Sequence, residues 1–239
     1  AGSGPIQYPE YLEYSRAYTY RVCADISIQA LREARRRIGE HGLFVVADIA
    51  NLPFRRDAFG GVVSLHTIHH LPQDEHVRAY QELYRVLMPA GSAVVVNGWG
   101  YSAFGSRLTQ AAKWINRMTA FLRRKLQPQK AGPQKEQALG TPAGKQPETS
   151  QQTGTFVRKN DAAWLRSVLG DLMPIQILVW RSVSVHVLRT FIHPWLGGRW
   201  ILGLLFWVEE RWPRWFGENG QYPLVVISKP GETSPGDRE

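Results

Sequence analysis

The sequence predicts an α/β fold of the doubly wound kind, and two observations carry the prediction. Its short apolar runs are continuous rather than alternating, as the strands of a parallel sheet covered on both faces are. Between those runs lie segments whose apolar residues recur at helical spacing. A chain of 239 residues has room for one such domain with extra segments, or for two small ones.

The elements follow in order. Residues 1–5, AGSGP, form a Gly-rich turn of the kind that follows a strand, so a first strand is expected ahead of residue 1, and the chain reads as a piece of a longer one. A short helix over 8–14 comes next. Arg21 to Ala24 is an apolar run closed by Asp25, and residues 28–38 carry helix formers behind Ser27, a residue suited to capping. Leu43 to Ala47 is a second strand, ending at Asp48. Gly61 to Leu65 is a third and Ala93 to Asn97 a fourth, with a helix over 74–87 between them.

After Asn97 the rhythm breaks. Residues 107–126 read as an amphipathic helix, with Leu108, Ala111, Ile115, Met118, Leu122 and Leu126 on one stripe and Lys113, Arg117, Arg124 and Lys125 off it. Residues 127–155 are rich in Gln, Pro, Gly, Lys and Thr and predict a flexible loop. A helix over 158–169, a strand over 175–185 and a last strand over 224–229 complete the sheet. The expected organisation is a core over 1–100 continued at 158–185, insertions over 101–157 and 186–222, and a last strand and tail over 223–239.

Apolar residues at 44% and charged residues at 21% belong to a chain that buries a core, which excludes a fibrous or disordered protein. Cys23 is the single cysteine, so there is no internal disulfide framework, and no Cys/His cluster has zinc spacing. A reducing, cytoplasmic setting without a bound metal is the expectation. The longest apolar run able to enter a bilayer, Trp200 to Val208, falls far short of the roughly 20 residues of a spanning helix.

Charge is distributed unevenly. Residues 1–100 hold ten basic and ten acidic side chains, and residues 101–239 hold nineteen and ten, so the whole net charge of +9 lies in the second part. All nine Trp fall between Trp99 and Trp215. A neutral scaffold therefore carries a basic, aromatic-rich elaboration.

Chemistry concentrates at the strand ends. Gly2, Ser3 and Gly4 precede a helix, and Asp25 ends the next strand; glycines admit close backbone approach to a nucleotide, and an acid there can bind ribose hydroxyls. A dinucleotide fingerprint would need a sixth-position Gly, where Gln7 stands. A tight turn without a ligand is the alternative at this point. His66, His69 and His70 lie just beyond the third strand, where a base titrating near neutrality could act.

Taken as an ordered set, AGSGP, VCADIS, VADIANLPF, FGGVVSLHTIHHLP and ELYRVLMPAGSAVVV, residues 1 to about 97 resemble the class I S-adenosylmethionine-dependent methyltransferases, most of all the small-molecule branch that includes the ubiquinone and menaquinone methyltransferases. The resemblance implies S-adenosylmethionine as cofactor. The turn matched by Gly2, Ser3 and Gly4 would wrap its methionine and ribose part. The acid matched by Asp25, with Ile26 beside it, would hold the ribose hydroxyls, and Asp48 with Ile49 would contact the adenine. Leu65 and His66 match the strand end that lines the methyl-transfer cavity. The family's third glycine is Ile6 here. The resemblance also implies a sixth strand parallel to the others and an antiparallel seventh.

Both unusual segments then spring from the cofactor edge of the sheet. From Arg107 to Lys145 nine basic residues face one acid, Glu136. The second insertion reads PWLGGRWILGLLFWVEERWPRWF, an apolar centre bracketed by Trp and Arg; the alternative is a lid helix that packs on the sheet, with Glu209, Glu210, Arg211 and Arg214 as its solvated end. Basic amphipathic helices and Trp/Arg borders belong at membrane interfaces. The expected function is methyl transfer to a small lipophilic acceptor by an enzyme peripheral to the inner face of an anionic membrane. RNA as acceptor is one alternative, served by the same Arg, Lys and aromatic residues. A non-catalytic, membrane-associated relative of the family is the other.

Overall fold

A computed structural model describes residues 1–126, 160–192 and 197–231. Six strands and seven helices are used below: β1 (Arg21–Asp25), α1 (Ile28–Ile38), β2 (Gly42–Val46), β3 (Phe59–Leu65), α2 (His76–Val86), β4 (Leu87–Val96), α3 (Ala103–Leu126), α4 (Ala162–Leu169), β5 (Ile175–Arg181), α5 (Val185–Phe191), α6 (Gly198–Arg211), α7 (Pro213–Asn219) and β6 (Tyr222–Ser228). The helix expected over 8–14 is a 3-10 helix, Pro9–Ser15.

The strands form two sheets. β1 and β2 pair in parallel, and a four-stranded sheet runs β3-β4-β6-β5. β3 and β4 are parallel, whereas β6 is antiparallel to both β4 and β5. The parallel sheet with one antiparallel last strand is thus present. β1 and β3 flank a cleft that takes Val22 and Ala24 from one edge and Val63 and Leu65 from the other. Adjacent residues of β1, Cys23 and Ala24, are both buried, in different apolar clusters, because both faces are covered. Cys23 packs with Ile6, Leu31 and Ala34, and Ala24 with the larger core that contains Ile68, Leu83 and Leu87. Burying each such Leu or Ile contributes about 1.5–3 kcal/mol.

Local chemistry explains the helix starts. Ser27 caps α1 by accepting from the Ala30 amide, Asp161 caps α4 through the Trp164 amide, and Ser184 caps α5 through the Val187 amide. That last cap ends β5 at Arg181, four residues short of the strand expected over 175–185. The predicted stripe of α3 is also turned. Gly105 and Ala112 are buried and Leu108 and Ile115 half-buried, while Ala111 and Met118 are exposed; α3 packs chiefly on α5, and Gly105 sits against Ser102 and Gln221 in the β4–α3 and α7–β6 connections. The loop expected over 127–155 lies outside the described residues.

Candidate active site

Left-handed residues alternate through the turn at the chain's start: Gly2 at φ +63°, Gly4 at +58° and Ile6 at +53°. A β-carbon on Gly2 would lie 2.2 Å from Thr67 Cγ2, so only glycine fits. Thr67 Oγ1 in turn donates to the carbonyls of Gly2 (3.2 Å) and Leu65 (3.1 Å), fastening the turn to the end of β3. On its other side the turn is fastened to β1, where the Ser3 amide donates to the Ala24 carbonyl at 3.1 Å and the Gly4 amide to Asp25 Oδ2 at 2.8 Å. Asp25 Oδ1 accepts the Ser27 amide, also at 2.8 Å. Around Gly4 the space is open, with no atom within 4 Å of where a β-carbon would stand.

Ile6 takes a conformation that costs a β-branched residue about 1–2 kcal/mol. It is held there by burial against Cys23, Leu31 and Ala34 and by Arg37, whose Nη1 donates to the carbonyls of Pro5 (2.9 Å) and Ile6 (2.6 Å). Packing and a guanidinium thus enforce at Ile6 what a glycine would adopt freely.

The loop after β2 begins beside Asp25, since the Ala47 amide donates to the Asp25 carbonyl at 3.1 Å. Asp48 and Asp25 therefore end neighbouring parallel strands on one edge. Asp48 Oδ1 accepts the Ala50 amide at 2.9 Å, which shapes the loop. Glu82 and Arg85 of α2 hold that loop from below. Glu82 Oε2 accepts the Leu52 amide at 2.8 Å, and Arg85 donates to the carbonyls of Phe54 (2.8 Å) and Leu52 (3.0 Å) while forking onto Glu82. Hydrogen bonding to Arg85 holds the Glu82 carboxyl below its usual range.

The three histidines part company. His66, at φ +55°, lies edge-on to Tyr222 with ring centroids 5.6 Å apart and to His69 at 6.3 Å. His69 turns toward Asn97, its Nδ1 3.2 Å from Oδ1. Because Asn97 Nδ2 donates to Tyr80 Oη at 3.4 Å, Oδ1 faces His69 as an acceptor; Nδ1 then carries the proton and Nε2 is the basic nitrogen of neutral His69. Burial pushes the Tyr80 hydroxyl up to about 12. A cavity of about 20 Å³ between Tyr80, Asn97, His76 and Asn160 is large enough for one water.

Gly2, Ser3, Gly4, Asp25, Leu65, His66 and His70 all line one cleft of about 1280 Å³. Ile26, Asp48, Ile49 and His69 do not line it: Ile26 points to solvent, Asp48 is exposed one strand over, Ile49 is in the core and His69 borders the small cavity. The cleft also has an apolar wall from Leu52 and Phe54. These features suit an adenosyl group: open space at Gly4 admits its backbone-side approach, and each Asp25 oxygen, holding one N–H, keeps a lone pair for a ribose hydroxyl. Among the described residues no group of three or more His, Cys, Asp or Glu is placed to hold a metal ion.

Sequence reading did not single out Thr67, Glu82, Arg85, Asn97 or Tyr222. A usable signal existed for two of them. Glu82 and Arg85 stand three apart on a helix inside the ELYRVL block, the spacing at which an acid and a base share one face. Nothing in the sequence joins Thr67 to Gly2 or Tyr222 to His66, which meet only through the fold.

Residues 1–95 match a family model described as a methyltransferase domain. A human protein named probable tRNA methyltransferase 9B is 38% identical over 52 residues, which are 21% of this chain; the chain covers 12% of that relative's length. The fold is shared with the YcgJ protein of Bacillus subtilis (TM-score 0.52, 14% identity, 96% of this chain and 89% of that one). It is also shared with the [4+2]-cyclase SpnF (TM-score 0.51, 16% identity, 96% and 74%) and with the complex of a Trm112 methyltransferase activator and a putative methyltransferase from Haloferax volcanii (TM-score 0.51, 14% identity, 96% and 80%).

Proposed function

We propose, because residues 1–95 form a methyltransferase domain of the class I S-adenosylmethionine-dependent family, that the chain transfers a methyl group to a small lipophilic acceptor reached from a membrane surface. One observation carries the reading. Gly4 and Asp25, 21 residues apart in sequence, are joined at 2.8 Å in the wall of a cleft that also contains His66.

S-adenosylmethionine, when bound, supplies a methyl group already activated on a sulfonium. What remains for the chain is positioning and the exclusion of water, the main sources of advantage in an in-line displacement. Gly2 and Gly4 would receive the methionine and ribose part and Asp25 the ribose hydroxyls, with Asp48 and the Ile49 backbone, just past the neighbouring strand end and outside the cleft lining, beside the adenine end. Leu65 and His66 would border the acceptor. Where the acceptor sheds a proton, His66 takes it, with His70 beside it in the cleft and His69 fixed by Asn97 behind. In this reading the chain works in the cytoplasm on the inner face of a membrane, and among the described residues no helix is long and apolar enough to cross one.

A second reading takes RNA as acceptor. It is favoured by the relative named as a tRNA methyltransferase and by the basic excess of residues 101–239. Calorimetric titration with S-adenosylmethionine tests the shared premise: the wild type gives saturable heat and Asp25→Ala weakens it at least about tenfold, the loss of two charge-assisted hydrogen bonds. No heat from the wild type overturns the enzyme reading and favours a non-catalytic membrane-associated protein. Transfer of labelled methyl into a lipid extract rather than into total tRNA decides between the acceptors.

A further inference from the structure

We propose that the outward face of α6 is a docking surface for an anionic lipid bilayer, an inference that rests on the membrane-surface reading above and gives it a residue-level contact. α6 is inverted relative to an ordinary surface helix. Its protein-facing positions are Gly198, Leu202, Leu205 and Glu209, and of these only Gly198 and Glu209 are fully buried. Glu209, expected from sequence at a solvated end, instead points inward, where Oε1 accepts the Ser182 amide at 2.8 Å. The acid is needed there because that amide sits just past the end of β5 with no strand partner.

With the Glu209 carboxylate turned inward, the helix shows solvent its apolar side chains, and Glu210, near its C-terminal end, is the one acid of the helix left exposed. Trp200 is 86% exposed, Leu204 61% and Trp207 58%, and these three, with Arg211, follow one another at helical spacing on one face. Ile201 and Phe206 widen the face. A contiguous apolar patch of this kind on a helix is left open for a partner.

Three occupants compete for it, and the residues themselves separate them. Residues 127–159 offer only Leu139, Phe156 and Val157 as large apolar side chains, too few to cover the face. A second copy would bring another net charge of +9 against the first. An anionic bilayer has the complementary charge, and the face has the matching composition: Trp along the apolar strip, and Arg199, Arg211 and Arg214 at its margins. Arg211 also covers the ring of Trp212 at 5.6 Å, and Trp212 lies edge-on to Trp207 at 6.1 Å, so the border is a continuous cation–aromatic surface. α7 follows α6 directly and leads into Tyr222, which packs against His66.

The experiment is co-sedimentation of the full chain with equimolar phosphatidylglycerol/phosphatidylcholine vesicles and with phosphatidylcholine vesicles alone. It compares wild type with a triple variant, Trp200→Ser, Leu204→Ser and Trp207→Ser, checked for an unchanged thermal melt. Wild type is expected to bind the anionic vesicles, to lose affinity in roughly 0.5 M salt, and to bind about tenfold or more tighter than the variant. Equal binding by both proteins, no binding by either, or a wild-type dimer that the variant abolishes in sedimentation velocity overturns the proposal; the last result assigns the face to a second copy. Calorimetry with S-adenosylmethionine, expected to be the same for both proteins, keeps a failure of cofactor binding separate from a failure of lipid binding.

Discussion

The Leu52 amide donates to Glu82 Oε2 at 2.8 Å, and this bond ties a wall of the cleft to helix α2. Arg85 completes the tie with donors to the carbonyls of Leu52 and Phe54. Replacing Arg85 by Met strands two carbonyls and one carboxylate, so Arg85→Met should lower stability by about 1–3 kcal/mol. It should also weaken S-adenosylmethionine binding several-fold, since the Leu52–Phe54 wall loses its anchor. Arg85→Lys should recover little, because an ammonium cannot serve Glu82 and two carbonyls as a planar fork does. Urea denaturation and titration calorimetry check both parts; unchanged affinity in Arg85→Met would mean that the loop holds its shape without the pair.

His76 predicts a pH dependence with a definite sign. Its Nε2–H donates to the Leu71 carbonyl at 3.1 Å and its Nδ1 accepts from Asn160 Nδ2 at 2.8 Å, an arrangement available only to the neutral ring. Burial lowers its pKa, against smaller opposing effects from the Leu71 carbonyl and Asp74. A group whose folded pKa lies below its unfolded value contributes stability above the unfolded pKa, near 6.5 for histidine, and that stability is lost as pH falls toward the folded value. The melting temperature should therefore decline from pH 7 toward pH 5, and His76→Phe should flatten the decline. An equally steep fall in the variant would assign the effect to other groups.

Much of this was legible in the sequence for a physical reason. A strand such as Ala93–Val96, covered on both faces, needs a continuous apolar run, and helices such as Ile28–Ile38 announce themselves through a cap and a period; Leu43–Val46 shows the same run although Leu43 and Val46 are exposed. The turn, Asp25 and His66 were legible because they sit at strand ends, and strand ends are easy to locate. What stayed hidden depends on direction rather than position. No pattern in PWLGGRWILGLLFWVEERW says that Glu209 turns inward to the Ser182 amide, because that choice is made by an unpaired donor 27 residues away. For the same reason His69 could not be separated from His66 and His70: its orientation is set by Asn97 and Tyr80, on other elements.

His66 and His69 should respond differently to substitution. For an acceptor that loses a proton, His66→Ala should lower kcat by about 100-fold or more while leaving S-adenosylmethionine affinity within a small factor. His69 lies outside the cleft, so Asn97→Leu, which removes its Nδ1 partner, should act through orientation: a smaller loss in kcat and a displaced pH–rate profile. Single-turnover rates across pH, with cofactor saturating, make the comparison. Equal losses from both substitutions at every pH would deny His66 its direct role.

The turn itself offers the last contrast, between two left-handed positions that differ in what surrounds them. At Gly2 an added methyl would meet Thr67 at 2.2 Å and the backbone is already at φ +63°, so Gly2→Ala combines a steric clash with conformational strain and should cost about 3 kcal/mol or more, detaching the turn from β3. Ile6 is the reverse case. Ile6→Ala keeps the strained φ of +53° and loses packing against Cys23, Leu31 and Ala34, so it should cost about 2–4 kcal/mol. Ile6→Gly loses the same packing but relieves about 1–2 kcal/mol of left-handed strain, which offsets the entropy of a more flexible unfolded chain. Glycine should therefore be no worse than alanine at this buried site, against the usual order in a core. Denaturation midpoints of the three variants decide it; an Ile6→Gly protein clearly less stable than Ile6→Ala would show that the backbone there is not under strain.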